Sequence, residues 1–111
     1  KDKNNHIKKG TAHLPNDNYN FSFGSEPKTL TKILDEAEAP RIIDFLSLDV
    51  EGAELAVLSG INFNKYKFKY MLIECRNKTK IEKFLKNFGY DFKDNLSHHD
   101  YLFELNKKFF L

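Results

Sequence analysis

The sequence has no tryptophan, one cysteine, one methionine, three prolines and five glycines among its 111 residues. A lone cysteine, Cys75, excludes an intrachain disulfide and a cysteine-built zinc centre. The glycines stand at 10, 24, 52, 60 and 89, and that spacing cannot make a G-x-G-x-x-G turn. No apolar run approaches the ~18 residues a membrane span needs. An excess of one charge is also missing: 18 Lys and Arg stand against 16 Asp and Glu, and the net charge of +2 gives no reason to expect a nucleic-acid partner. The opening residues "KDKNNHIKKG" hold no apolar signal-peptide core, and with the single cysteine they suit a reducing, cytoplasmic setting.

Hydrophobic residues make up 41% of the chain and aromatics 14%, enough for a packed core in one domain or part of one. Residues 1–28 carry most of the Asn, Gly and Pro punctuation and read as loop. Within them "YNFSF" (19–23) alternates Tyr19, Phe21 and Phe23 as a short strand would. Residues 29–111 are organised differently. "TLTKILDEA" places Leu30, Ile33, Leu34 and Ala37 on one helical face, with Pro40 to stop the helix. "RIIDFLSLDV" is nearly continuously apolar, as in a strand buried on both faces. "GAELAVLSG" follows as two helical turns, for which Gly60 suggests a left-handed cap.

The pattern then repeats. "KYMLIEC" is a second buried strand, and "KTKIEKFLKNFG" is an amphipathic helix capped by Gly89. "YDF" and "DYLFEL", separated by "KDNLSHH", read as an antiparallel pair. The expected class is therefore α/β: two parallel strands joined by crossover helices, then an antiparallel pair.

Charge is unevenly distributed. From Ile42 to Gly60 every charged residue is acidic: Asp44, Asp49, Glu51 and Glu54. From Lys65 to Lys86 eight Lys or Arg stand against Glu74 and Glu82, a spacing that ordinary solvated surface accounts for. Ligands in open α/β sheets bind at the carboxyl ends of parallel strands. Asp49 ends the first buried strand, Glu74 ends the second, and Glu51 lies in the turn between. Acids ahead of a helix also complement its dipole by ~0.3–1 kcal/mol each. That accounts for Asp49, Glu51 and Glu54 but not for Gly52, which implies a tight turn or a ligand close to the backbone. Two other readings use the same residues. Asp49, Glu51 and Glu74 could hold a hard divalent cation, as in a metal-dependent α/β enzyme acting on phosphate esters. Alternatively, the chain is a non-catalytic half-domain that docks on a partner. His98, His99 and Asp100 read as a solvated hairpin loop, and His6 and His13 as part of the polar N-terminal segment.

The segments "TLTKILDEA", "IDFLSLDVEGAELAVLSGINF", "YMLIE", "IEKFLKNFGYDF" and "DYLFEL" resemble, in order and spacing, the C-terminal half of FkbM-family methyltransferases over residues 29–105. The resemblance implies a Rossmann-like sheet with residues 44–49 as its fourth strand, 70–74 as its fifth and the final hairpin as its last two. It implies S-adenosylmethionine as cofactor and methylation of a hydroxyl oxygen on a small molecule or glycan. Asp49 and Glu51 would be catalytic, Asp49 and Gly52 would meet the cofactor, and Glu74 would meet the substrate. The family's glycine-rich first strand and the ribose-binding acid of its second have no counterpart here. The resemblance thus implies a fragment, inactive alone, whose missing partner is the N-terminal half of the same domain. With the first strand gone, residues 44–49 should present an unpaired edge, which "YNFSF" could fold back to cover, and Phe45, Leu46 and Leu48 should lose part of their cover.

Overall fold

A computed structural model describes residues 11–14, 19–22 and 28–110, with side chains from 28 to 109. The expected loops of the N-terminal segment, and His6 with them, lie outside the described residues. Two short strands, β1 (Thr11–Leu14) and β2 (Tyr19–Ser22), come first. They are followed by α1 (Leu30–Glu36), β3 (Ile42–Asp49), α2 (Glu54–Ser59), β4 (Lys67–Glu74) and α3 (Lys78–Lys86). The chain closes with β5 (Tyr90–Ser97), β6 (Asp100–Leu105) and a 3-10 turn over Lys107–Phe110.

All six strands join one sheet in the order β2-β1-β3-β4-β6-β5. β3 and β4 are parallel, with Leu46 beside Met71 and Leu48 beside Ile73. β6 enters between β4 and β5, antiparallel to both, so β5 runs in the same direction as β4. The expected unpaired side of β3 is a point of correction. β1 pairs with it antiparallel, Thr11 opposite Asp49 and His13 opposite Ser47, and "YNFS" lies one strand further out, against β1. An open ladder of N–H and C=O groups there would be a template for association, and β1 covers it over Ser47, Leu48 and Asp49.

Alternation along the strands separates two faces in the upper half of the sheet. Leu46, Leu48, Met71, Ile73 and Phe103 point to one face and are all buried to within 1% of full enclosure. Leu58 of α2, Ile81 and Leu85 of α3, and Leu30 and Leu34 of α1 join them in one core. Phe45, Ser47, Tyr70, Leu72 and Leu102 point the other way and are half-buried. On that face the Tyr70 hydroxyl donates to Glu104 at 3.1 Å, and Lys93 pairs with the same carboxylate at 3.2 Å. The expected loss of cover therefore applies to Phe45 but not to Leu46 or Leu48, which lie on the helix side.

Caps and turns place the elements. The Thr29 hydroxyl accepts from the Lys32 N–H at 3.1 Å and starts α1. α1 ends before Pro40: Glu38 turns left-handed at φ 55°, and the Ala39 and Glu38 N–H groups donate to Leu34 and Asp35, a Schellman closure. Gly60 is not the left-handed cap its position suggests, since its φ is −89°. A Cβ there would lie 3.1 Å from the Thr29 Cβ, so this glycine permits close approach of α1 to the end of α2. Gly89 does take the left-handed conformation, at φ 91°.

Candidate functional site

The local geometry at the end of β3 follows from "DVEG". Glu51 and Gly52 both have positive φ, 43° and 98°, and the Ala53 N–H donates back to the Val50 carbonyl at 3.2 Å. Positive φ at both central residues is the pattern of a type I′ turn, which explains Gly52 as a conformational requirement. No atom lies within 4 Å of a Cβ built on Gly52, so the space over it is open. The turn reverses the chain tightly enough for α2 to begin at Glu54. The Glu54 side chain, 6% exposed, folds back and accepts from the Gly52 N–H at 2.9 Å. Glu54 is thus part of the turn's construction.

Beyond the carboxyl ends of β3 and β4 opens a cleft of about 740 Å³. Asp49, Glu51, Gly52 and Glu74, the four residues singled out from sequence, all line it. In register, Leu48 is beside Ile73, so Asp49 and Glu74 follow as neighbours at the ends of adjacent strands. The Glu74 carboxyl is held above its ordinary range, first by the charge on Asp49, then by burial, the charge on Asp100, a hydrogen bond with Asp49 and the charge on Glu51. Neighbouring carboxylates favour a shared proton because two adjacent negative charges repel. Among the described residues, no three His, Cys, Asp or Glu side chains are arranged to hold a metal ion, which gives the divalent-cation reading no support.

Among the further lining residues, Arg76, Lys80 and His99 bring cationic and imidazole groups to the cleft. Arg76 and Lys80 follow from the β4-to-α3 connection, which the Asn77 side chain caps by accepting from the Lys80 N–H at 3.0 Å. The rule that ligands gather at carboxyl ends applies to such turn residues as well as to the last residue of the strand. The reading of His98, His99 and Asp100 as a solvated loop holds for His98, which is exposed in the turn, and needs correction for His99 and Asp100. β5 continues through "KDNLS" to Ser97, leaving His98 and His99 as a two-residue turn. Asp100 is then directly opposite Glu74, and the His99 carbonyl accepts from the Cys75 N–H at 3.0 Å. The hairpin tip therefore stands over the cleft. His99 sits at φ 71°, its ring 3.8 Å from that of His98, and its Nδ1 is enclosed without a hydrogen-bond partner.

Cys75 also borders the cleft, but burial and then the charge on Glu54 push its thiol up to about 11. It stays protonated at neutral pH and is not a nucleophile there.

The model of the methyltransferase FkbM domain family matches residues 2–103. The chain belongs to that family. The match begins well before residue 29, where the recognisable segments start, so it takes in the positions of β1 and β2 as well as the cleft. Comparison with curated proteins and with solved structures gave no match. Membership supports a methyltransferase activity for this chain. Among the described residues, no helix is long and apolar enough to cross a membrane.

Proposed function

We propose that this chain carries the acceptor side of an S-adenosylmethionine-dependent O-methyltransferase site on a Rossmann-like sheet, with a hydroxyl group of a small molecule or glycan as acceptor. The observation that carries the reading is the Asp49–Glu74 carboxyl pair at the ends of two adjacent parallel strands, within a cleft of a methyltransferase-family chain.

The fit to the cofactor is uneven along its length. Carboxylates at Asp49 and Glu51 and open space over Gly52 suit the cationic sulfonium end. The nucleoside end finds no glycine-rich turn among five widely spaced glycines. When bound, the cofactor supplies an electrophilic methyl group. Asp49 and Gly52 would border that end of it, and Glu51 would add negative charge to the same wall.

Glu74 would hold the acceptor. Beside Asp49, whose charge raises its carboxyl above the ordinary range, it would accept a hydrogen bond from the acceptor hydroxyl. Asp49 would take the hydroxyl proton late in the displacement, when the oxygen has become acidic, because a carboxylate is too weak a base to remove it beforehand. Positioning supplies most of the acceleration, ~7–11 kcal/mol for well-oriented reactants, and a general base adds ~10²–10⁴-fold.

Methyl transfer by the complete enzyme tests this. Asp49→Asn should lower kcat by ~10²–10⁴-fold, the range of a lost general base. Asp100→Asn, which relieves charge opposite Glu74 and alters the acceptor of the Ser97 hydroxyl, should have a smaller effect. Wild-type turnover in Asp49→Asn would refute the role given to Asp49.

A further inference from the structure

We infer that the acceptor carries an anionic group, a carboxylate or a phosphate ester, near its reacting hydroxyl, and that Arg76, Asn77 and Lys80 hold that group in the cleft. The inference rests on the reading of the cleft as a methyl-transfer site and adds the chemical class of its acceptor. All three residues line the cleft, in the connection that leaves β4 after Glu74 and in the first turn of α3. They continue the wall given to the acceptor, whereas Asp49, Glu51 and Gly52 make the wall given to the cofactor. His99 is fixed beside them, since its carbonyl accepts from the Cys75 N–H at 3.0 Å. Its Nδ1 is enclosed, so Nε2 is the ring nitrogen left to meet a ligand.

These donors have no acceptor within the chain. Lys65, Lys69, Lys78, Lys86 and Lys93 each pair with a neighbouring carboxylate. Among the described residues, neither Arg76 nor Lys80 forms such a pair, although the same cleft holds Asp49, Glu51, Glu54 and Glu74. Cations that served only to balance those acids would touch them. The Asn77 Oδ1 already accepts from the Lys80 N–H at 3.0 Å, which leaves the amide NH2 as its free group. The acids are placed differently. Glu54 accepts from the Gly52 N–H at 2.9 Å inside the turn, and Asp49 faces Glu74.

A guanidinium, an ammonium and an amide N–H together match a group with several anionic oxygens. Arginine meets two oxygens of a carboxylate or phosphate side by side, and charge-assisted bonds of this kind are stronger than neutral ones. A neutral acceptor would leave both cations unmatched. An anion held without them would be repelled by Asp49 and Glu74, so its binding depends on Arg76 and Lys80 while the two acids serve the hydroxyl of the same molecule. The carboxylate of the cofactor is the other source of such a group. The position of Arg76 and Lys80 beyond Glu74, and not on the turn from Asp49 to Gly52, favours the acceptor.

The test is an NMR titration of the labelled full chain with glycerol, glycerate and glycerol 3-phosphate, which offer vicinal hydroxyls with no charge, a carboxylate and a phosphate. At least one anion should bind ~tenfold more tightly than glycerol, with shifts at 76–80 and 99. Which anion it is tells carboxylate from phosphate. Arg76→Gln with Lys80→Gln should abolish or reverse the preference, because the acids remain. Lys83→Gln with Lys86→Gln, the same charge change on α3 outside the cleft, should leave it intact. A thermal melt of each variant separates lost binding from lost folding. Saturating S-adenosylmethionine should leave the anion bound. The anion site is read from these probes and the methyl-transfer reading from the response to S-adenosylmethionine alone, so the two fail separately. The proposal is overturned if the three probes bind alike, if the cleft double variant keeps the preference, if the control variant loses it equally, or if S-adenosylmethionine displaces the anion.

Discussion

Asp49 and Glu74 close two adjacent parallel strands, and the charge on Asp49 is the chief reason the Glu74 carboxyl lies above its ordinary range. An acid whose value is raised on folding contributes stability that is complete below its unfolded value and lost as pH rises through the folded one. For Glu74 that loss falls between the ordinary carboxylate range and its raised value. Glu74→Gln should therefore be more stable than the parent at neutral pH. Its advantage should shrink to nothing below pH ~4, where Glu74 is protonated in both folded and unfolded chains. Because Glu74 is exposed, the gain belongs on the ~0.2–1 kcal/mol scale of surface charge interactions. Thermal melts across pH check this; a lower Tm at neutral pH, or a difference that ignores pH, would contradict the pairing.

Glu51 occupies a left-handed conformation at φ 43° in a turn that glycine or asparagine would fill without strain. The left-handed region costs a side-chain-bearing residue ~1–2 kcal/mol. Glu51→Gly should raise stability by about 1 kcal/mol while lowering methyl-transfer turnover. Urea denaturation and a methyl-transfer assay read the two effects. A variant that is more stable and fully active would show that Glu51 has no part in the chemistry.

The glycines at 52 and 89 separate conformation from contact. Both have φ above 90°, but a Cβ on Gly52 meets nothing within 4 Å while one on Gly89 runs into the Phe109 ring. Gly52→Ala should cost the conformational ~1–2 kcal/mol alone. Gly89→Ala should cost a further ~1 kcal/mol or more from overpacking. Combining it with Phe109→Ala should recover that difference. Equal costs in the two single variants would mean that Phe109 does not rest on Gly89.

Much of this fold was legible because its elements bury one face or both. The i, i+3, i+4, i+7 spacing of α1 and α3 and the apolar runs of β3 and β4 mark surfaces that must leave water, so sequence and structure agree there. β1 was not legible. "TAHL" has neither the length nor the alternation of a strand, and its conformation is fixed by pairing with β3 and β2. The full length of β5 escaped for a related reason. From Lys93 to Ser97 it is an exposed edge with two register shifts, so no apolar pattern records it.

That second omission hid part of the site. Only when β5 reaches Ser97 does the hairpin tip arrive over the cleft and bring Asp100 opposite Glu74. Asp49, Glu51, Gly52 and Glu74 could be found because they lie on legible strands and the turn between them. The unpaired edge at β3 was the expected mark of an absent first strand. With β1 paired there, the sheet no longer supplies that mark.

A titration of the isotopically labelled chain with S-adenosylmethionine, followed residue by residue by NMR, tests the central claim most directly. The cleft offers acids and open space to the sulfonium end but no glycine-rich turn to the nucleoside. Binding should therefore be weak, with Kd near ~1 mM, or about −4 kcal/mol. Shifts should concentrate on 49–52, 74–77 and 99–100, and Asp49→Asn should weaken them. Tight, micromolar binding, or shifts that gather away from the ends of β3 and β4, would contradict the placement of methyl transfer in this cleft.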